Sequence, residues 1–144
     1  MSNKPIYEIF EEIEATRAKK KRVEVLQAND SEQLRLLLDY VYNPNIKWIL
    51  TDLPEFKSTK DAESASAKRL YNKVRKLIYL TNLTPYPDAA KGDRIQIYKE
   101  ILESIHPKDA AIVYGAIKDK EIPYDRIDVE IVSEAFPELT KTWK

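Results

Sequence analysis

The chain has 144 residues, no cysteine, one histidine, two glycines, and 24 basic against 24 acidic side chains. That length suits one domain burying roughly two-thirds of the surface of its unfolded chain, and 43% apolar with 33% charged residues is an ordinary globular composition. Disulfide scaffolds, a membrane span of roughly 20 apolar residues and a strongly cationic polyanion wrapper are excluded, and the cysteine-free chain opening M-S-N-K-P-I-Y predicts a reducing, cytoplasmic location.

Apolar residues recur at helical spacing along almost the whole chain. Behind Pro5, suited to a first helical turn, Ile6, Ile9, Phe10 and Ile13 define a first helix. Thr16 is placed to cap a second through Val23 and Leu26, and Asp30, three residues before Gln33, to cap a third with Leu34, Leu37, Leu38 and Val41 on one face. Asn43-Pro44 stops it, and Ile46, Trp48, Ile49 and Leu50 form a short apolar block that plugs the core. Residues 51–66 are polar and aperiodic, which predicts a surface loop or hinge between two helical halves. A fourth helix carries Leu70, Val74, Leu77 and Ile78 inward, and Thr84-Pro85-Tyr86-Pro87-Asp88 breaks the chain. A fifth carries Ile95, Tyr98, Leu102 and Ile105, His106-Pro107 separates it from a sixth with Ala110, Val113 and Ile117, and a last helix with Ile127, Ile131, Val132, Ala135 and Phe136 stops before Pro137. The expectation is one all-α domain over residues 1–144, with six or seven helices.

Catalytic chemistry has few carriers. Activated nucleophiles need a base, and His106, before a proline at a helix junction, reads as structural. Glu11, Glu12 and Glu14, like Glu100 and Glu103, fall on polar helix faces. No short zinc or calcium spacing occurs, and Gly92 and Gly115 stand too far apart to cradle a phosphate. The expectation is a non-enzymatic protein without cofactor or metal.

Positive charge is gathered instead. Residues 1–76 hold 15 Lys and Arg against 12 acids, residues 77–144 hold 9 against 12, and Arg17 to Arg22 read R-A-K-K-K-R. Cations at a helix start oppose the helix dipole by a few tenths of a kcal/mol each, so helix stability alone does not favour Arg17, Lys19, Lys20, Lys21 and Arg22 there. In a second cluster, Lys68 to Lys76, Arg69, Lys73 and Lys76 form an i, i+4, i+7 row opposite Leu70, Val74 and Leu77. Both fit phosphate contact, and both equally fit solvated helix faces. Tyr71 and Tyr79 lie near the second cluster, whereas Tyr40, Tyr42, Trp48, Tyr98 and Phe136 fit core positions better than stacking platforms.

The segment Ile9 to Pro54, with I-F-E-E-I-E-A-T-R-A-K-K-K-R-V-E-V-L-Q-A-N-D, L-L-L-D-Y-V-Y-N-P and I-K-W-I-L, resembles the opening of the ATP-dependent DNA ligases of T-even-like phages. Ile95 to Leu139 resembles the end of the same helical DNA-binding domain, with Ile117-Lys118-Asp119 at that family's Arg-Asp turn and V-S-E-A-F-P-E-L at its closing helix. The ending I-K-D-K-x-x-P-Y…A-F-P is also similar to small uncharacterised proteins of such phages. The resemblance implies a ligase-like fold, minor-groove backbone contact with duplex DNA, and a bacterial host cytoplasm. Two departures stand out: Lys118 replaces the arginine, and Glu121-Ile122-Pro123-Tyr124 lacks the family's turn glycine. No Lys-x-Asp-Gly adenylation motif occurs, so ligation by that mechanism is not expected.

Two functions follow as expectations. The first is a phage accessory module binding duplex DNA through Arg17, Lys19, Lys20, Lys21, Arg22, Arg69, Lys73, Lys76, Lys118 and Lys120, with about five phosphates neutralised and a salt slope near −4 to −5. The alternative, on the same fold, is a protein-interaction module, an adaptor or inhibitor of a phage or host protein.

Overall fold

The structure, a computed structural model, describes residues 5–50, 53–56 and 69–143. It is all-α: among the described residues there are eight helices, and the only bridge of sheet type is an isolated antiparallel one between Trp48 and Thr81. In chain order these are α1 (Ile6–Glu14), α2 (Lys19–Ala28), α3 (Glu32–Tyr42), α4 (Arg69–Lys73), α5 (Lys91–Ser104), α6 (Pro107–Asp119), α7 (Val129–Ala135) and α8 (Pro137–Thr140). A 3-10 segment, Val74–Leu80, continues α4, and another, Lys141–Trp143, follows α8. No helix among the described residues is long and apolar enough to cross a membrane. The predicted hinge at 51–66 lies outside the described residues except for Leu53 to Phe56.

The apolar stripes read from the sequence meet in one core. Ile6, Ile9, Phe10 and Ile13 of α1, Leu34, Leu37 and Leu38 of α3, Tyr98 and Leu102 of α5, and Ala110, Val113 and Ile117 of α6 are buried together. Ile46 and Leu50 are buried as the expected plug. Ile49 N–H donates to the Leu80 carbonyl at 2.9 Å and Asn82 N–H to that of Lys47 at 2.8 Å, so the plug is held by backbone pairing as well as burial.

Local details differ from the expectation for identifiable reasons. The N-cap of α2 is Ala18, which makes no side-chain cap, because the Thr16 hydroxyl donates back to the Glu12 carbonyl at 2.7 Å and so belongs to the end of α1. Ser31, not Asp30, caps α3, accepting from Leu34 N–H at 3.0 Å, while Asp30 takes a two-pronged pair with Arg35 at 2.7 and 2.9 Å. Past α4 the backbone tightens to 3-10 geometry, whose three-residue turn aligns Val74, Leu77 and Leu80 on one fully buried edge. The last predicted helix begins after Ile127 and divides at Phe136-Pro137 into α7 and α8, because the proline lacks an N–H and restricts the residue before it.

At the centre, α6 is fixed at both ends. His106 caps its start, Nδ1 accepting from Lys108 N–H at 3.1 Å, and the imidazole stacks on Tyr7 with ring centroids 4.5 Å apart. Asp109, only 2% exposed, accepts from the Tyr7 N–H of α1 at 3.0 Å and supplies the cap that α1 lacks in its own sequence. Near the end of α6, Pro123 folds onto Gly115, where a Cβ would sit 3.1 Å from the proline ring and push it by a few tenths of an ångström.

Candidate nucleic-acid interface

The ten cations read from the sequence fall on different elements and meet different fates. In the first cluster, Arg22 is half-buried and spent on the backbone: its guanidinium donates to the carbonyls of Thr16 and Arg17, both at 2.6 Å, and closes the turn between α1 and α2. Lys19 bridges Glu130 and Glu134, the latter at 3.4 Å, which lie one turn apart on α7. This pairing raises its pKa, chiefly through the hydrogen bond to Glu130. Arg17, Lys20 and Lys21 are exposed, and no hydrogen bond or ion pair with another described residue engages their side chains. They surround a helix start with no acid in its first turn and no side-chain cap, where free N–H groups and the dipole favour an anion.

The second cluster is described only in part. The side chain of Arg69 lies outside the described residues, and from Val74 the 3-10 geometry sets an i, i+3 repeat. Lys73, Lys76 and Tyr79 then share an edge and line a small groove with Ile97, Glu100 and Ile101. Arg75 is committed to Glu32 at 2.8 Å.

At the end of α6, Lys118 is exposed, with its ammonium 5.6 Å from the Tyr114 ring centroid. Lys120 turns inward and is no surface cation. It adopts the left-handed conformation, φ 57°, that glycine ordinarily supplies after a helix. Its ammonium donates to the carbonyls of Tyr40 at 2.7 Å, Asn43 at 3.1 Å and Ile46. An ammonium has three donors, and here three carbonyls at and beyond the end of α3 receive them. Burial lowers the Lys120 pKa and the Asp39 carboxylate acts the other way.

No known protein family, curated protein or solved structure matches the chain.

Two features escaped the sequence reading. Between Asp119 and Glu138 seven acids are exposed, whereas the two bases of that stretch, Lys120 and Arg126, are at least half-buried. The acidic excess of residues 77–144 was the signal for this face. Three of these acids, Glu121, Asp125 and Asp128, line a cleft of about 380 Å³ with Tyr42 and Tyr124. The other feature is the chain break at 84–88: Tyr86 is 63% and Leu83 50% exposed, and Tyr86 stacks on Tyr79 at 5.9 Å. A tyrosine between two prolines was its only trace in the sequence.

The acids of α1, read as a solvated face, also reach out: Glu11 pairs with Lys108 at 3.1 Å and Glu14 accepts from Arg126 N–H at 3.0 Å. No group of three or more metal-ligating side chains occurs among the described residues. Asp109 is the most perturbed carboxyl, pushed up to about 7 by burial and then by Glu8, with the Tyr7 N–H pulling it down. It holds the Tyr7 backbone amide, which makes it a helix fastener.

Proposed function

We propose that the protein binds duplex DNA weakly and without sequence preference, as a non-enzymatic helical module of the kind its sequence resembles in the phage ligases. The observation that carries this reading is the start of α2, where Arg17, Lys20 and Lys21 stay exposed around an uncapped, acid-free first turn while Lys19 pairs with acids of α7 at the surface and Arg22 closes the turn from α1. Phosphate contact explains cations kept where they oppose the helix dipole. Three contacts replace the five first expected, because of the five cations of this cluster Lys19 and Arg22 are committed to partners within the chain. Contacts of this kind position a duplex without reading bases.

Three phosphates give a salt slope near −3, so affinity falls roughly 40-fold between about 50 and 200 mM salt. Fluorescence anisotropy with intact and nicked duplexes, on the wild type and on a variant combining Arg17→Ala, Lys20→Ala and Lys21→Ala, tests this. The variant is expected to lose binding, and preference for the nick would tie the site to the ligase likeness. Undiminished binding by the variant, or no binding by the wild type at 50 mM salt, would remove the reading.

One observation favours docking of a protein instead: on the 81–89 loop Leu83 and Tyr86 are exposed, and Tyr86 lines an open cleft with Pro85, Pro87 and Ile97. Such patches on globular proteins tend to mark partner sites.

A further inference from the structure

We infer that the 81–89 loop and the start of α5 form a docking platform for an extended, proline-containing segment of a partner protein that carries a basic residue. The inference rests on the protein-docking reading and names its partner class.

The platform is built. Thr81 is fully buried and paired to Trp48, which roots the loop. Leu83 N–H donates to the Thr81 hydroxyl and Tyr86 N–H to that of Thr84, both at 3.2 Å, and Ala89 N–H donates to the Tyr86 carbonyl at 3.1 Å. Arg94 reaches back from α5 to the Pro87 carbonyl at 2.8 Å. Prolines on either side of Tyr86 fix two φ angles, and Tyr79 backs the tyrosine ring nearly parallel, at 24°. Tyr86 is thus an exposed aromatic side chain presented with little left to order on binding, which lowers the entropic cost of association.

The shape and chemistry of the cleft select the partner. About 510 Å³ of open cleft runs along Pro85, Tyr86, Pro87 and Ile97. Its lining carries two carboxylates, Asp88 and Asp93, and no cation. Strand addition has little to hold: of residues 85–89, the two prolines lack an N–H, and Tyr86 and Ala89 use theirs inside the loop. A ligand must bind through side chains on a shallow aromatic and proline surface, which suits a polyproline II segment already extended and free of internal hydrogen bonds. The two carboxylates supply charge complementarity for an arginine or lysine beside the prolines.

The test uses the full chain and a fluorescein-labelled peptide, A-P-P-R-P-A-P-P-R-A, with anisotropy for affinity and NMR shifts of Leu83, Tyr86 and Ile97 for location. Comparison probes are the same peptide with glutamate for arginine, a proline-free amphipathic helical peptide of equal positive charge, and a twelve-nucleotide oligo-dT. The expected result is saturable binding of the first peptide at those residues, weakened about tenfold by Tyr86→Ala, weakened by Asp88→Asn with Asp93→Asn, and absent for the glutamate peptide. Unchanged thermal midpoints establish that these surface variants stay folded. Tighter binding of the helical peptide, lost in Tyr86→Ala, would overturn the proline assignment and leave protein docking standing. Binding of the oligo-dT alone, lost in Tyr86→Ala and Lys76→Ala, would make the platform a nucleic-acid surface and overturn both. No saturable binding of any probe at these residues would also overturn both.

Discussion

Helices α2 and α6 each have cations at one end, yet they differ sharply in burial. In α6, seven of thirteen residues are buried, and charged residues at both ends turn inward, Asp109 to the start of α1 and Lys120 to the end of α3. Of the ten residues of α2 only Leu26 is buried, and its first turn has neither cap nor acid. A charged side chain at a helix end therefore has two distinct uses. Where unsatisfied carbonyls or amides of another helix lie within reach, it becomes structure; where none does, it remains available to a ligand.

The largest effect that would sharpen this contrast is at Lys120. Lys120→Ala takes a charged donor from three carbonyls, of which that of Asn43 keeps the Ile46 N–H, and leaves a non-glycine residue in left-handed backbone, so an unfolding titration should show a loss of about 2–4 kcal/mol. Lys120→Gly should recover about 1 kcal/mol of that, because it relieves the backbone while still lacking the ammonium. If Lys120→Ala unfolds like the wild type, the inward turn of this lysine is not what holds α3 and the contrast fails.

At the other end of α6 the contrast shows in pH dependence. Asp109 accepts from the Tyr7 N–H of α1, and its charge is felt by Tyr71 of α4 and Tyr124 of the 120–128 loop, as that of Glu8 is felt by Asp109. Burial raises its pKa to about 7, whereas the unfolded chain gives up this proton near pH 4. The folded state therefore binds the extra proton between those values, and this group stabilises the protein as pH falls, by roughly 2.5 kcal/mol from pH 8 to pH 5. Asp109→Asn keeps an acceptor for Tyr7 and should remove that slope from stability measured across the range; an unchanged slope would place the titration elsewhere.

The smallest effect belongs to α2. Replacing Arg17, Lys20 and Lys21 together by alanine should leave the thermal midpoint unchanged or raise it slightly, since each cation opposes the dipole by a few tenths of a kcal/mol. A marked loss of stability would show that these side chains, like Lys120, are structural, and would erase the distinction between the helices.

The sequence by itself determined most of the helical architecture. Ile6, Ile9, Phe10 and Ile13, or Ala110, Val113 and Ile117, lie on one face because the helix repeats every 3.6 residues, and burying such a face against others is what stabilises it. Asn43-Pro44 and His106-Pro107 ended helices because proline restricts the residue before it. Caps were less legible: Thr16 and Ser31 offer the same hydroxyl, and only the path of the chain decides whether it faces the helix behind or the one ahead. Ligase likeness and DNA contact remain proposals resting on R-A-K-K-K-R and the three cations left exposed there. What only the tertiary structure decided is the employment of each charge. Lys118 and Lys120 stand two residues apart in one run of polar sequence, yet one lies over Tyr114 at the surface and the other satisfies carbonyls about 80 positions earlier in the chain. Periodicity reports which face of a helix is apolar, but a hydrogen bond between distant segments depends on how the helices pack, and no local pattern encodes that.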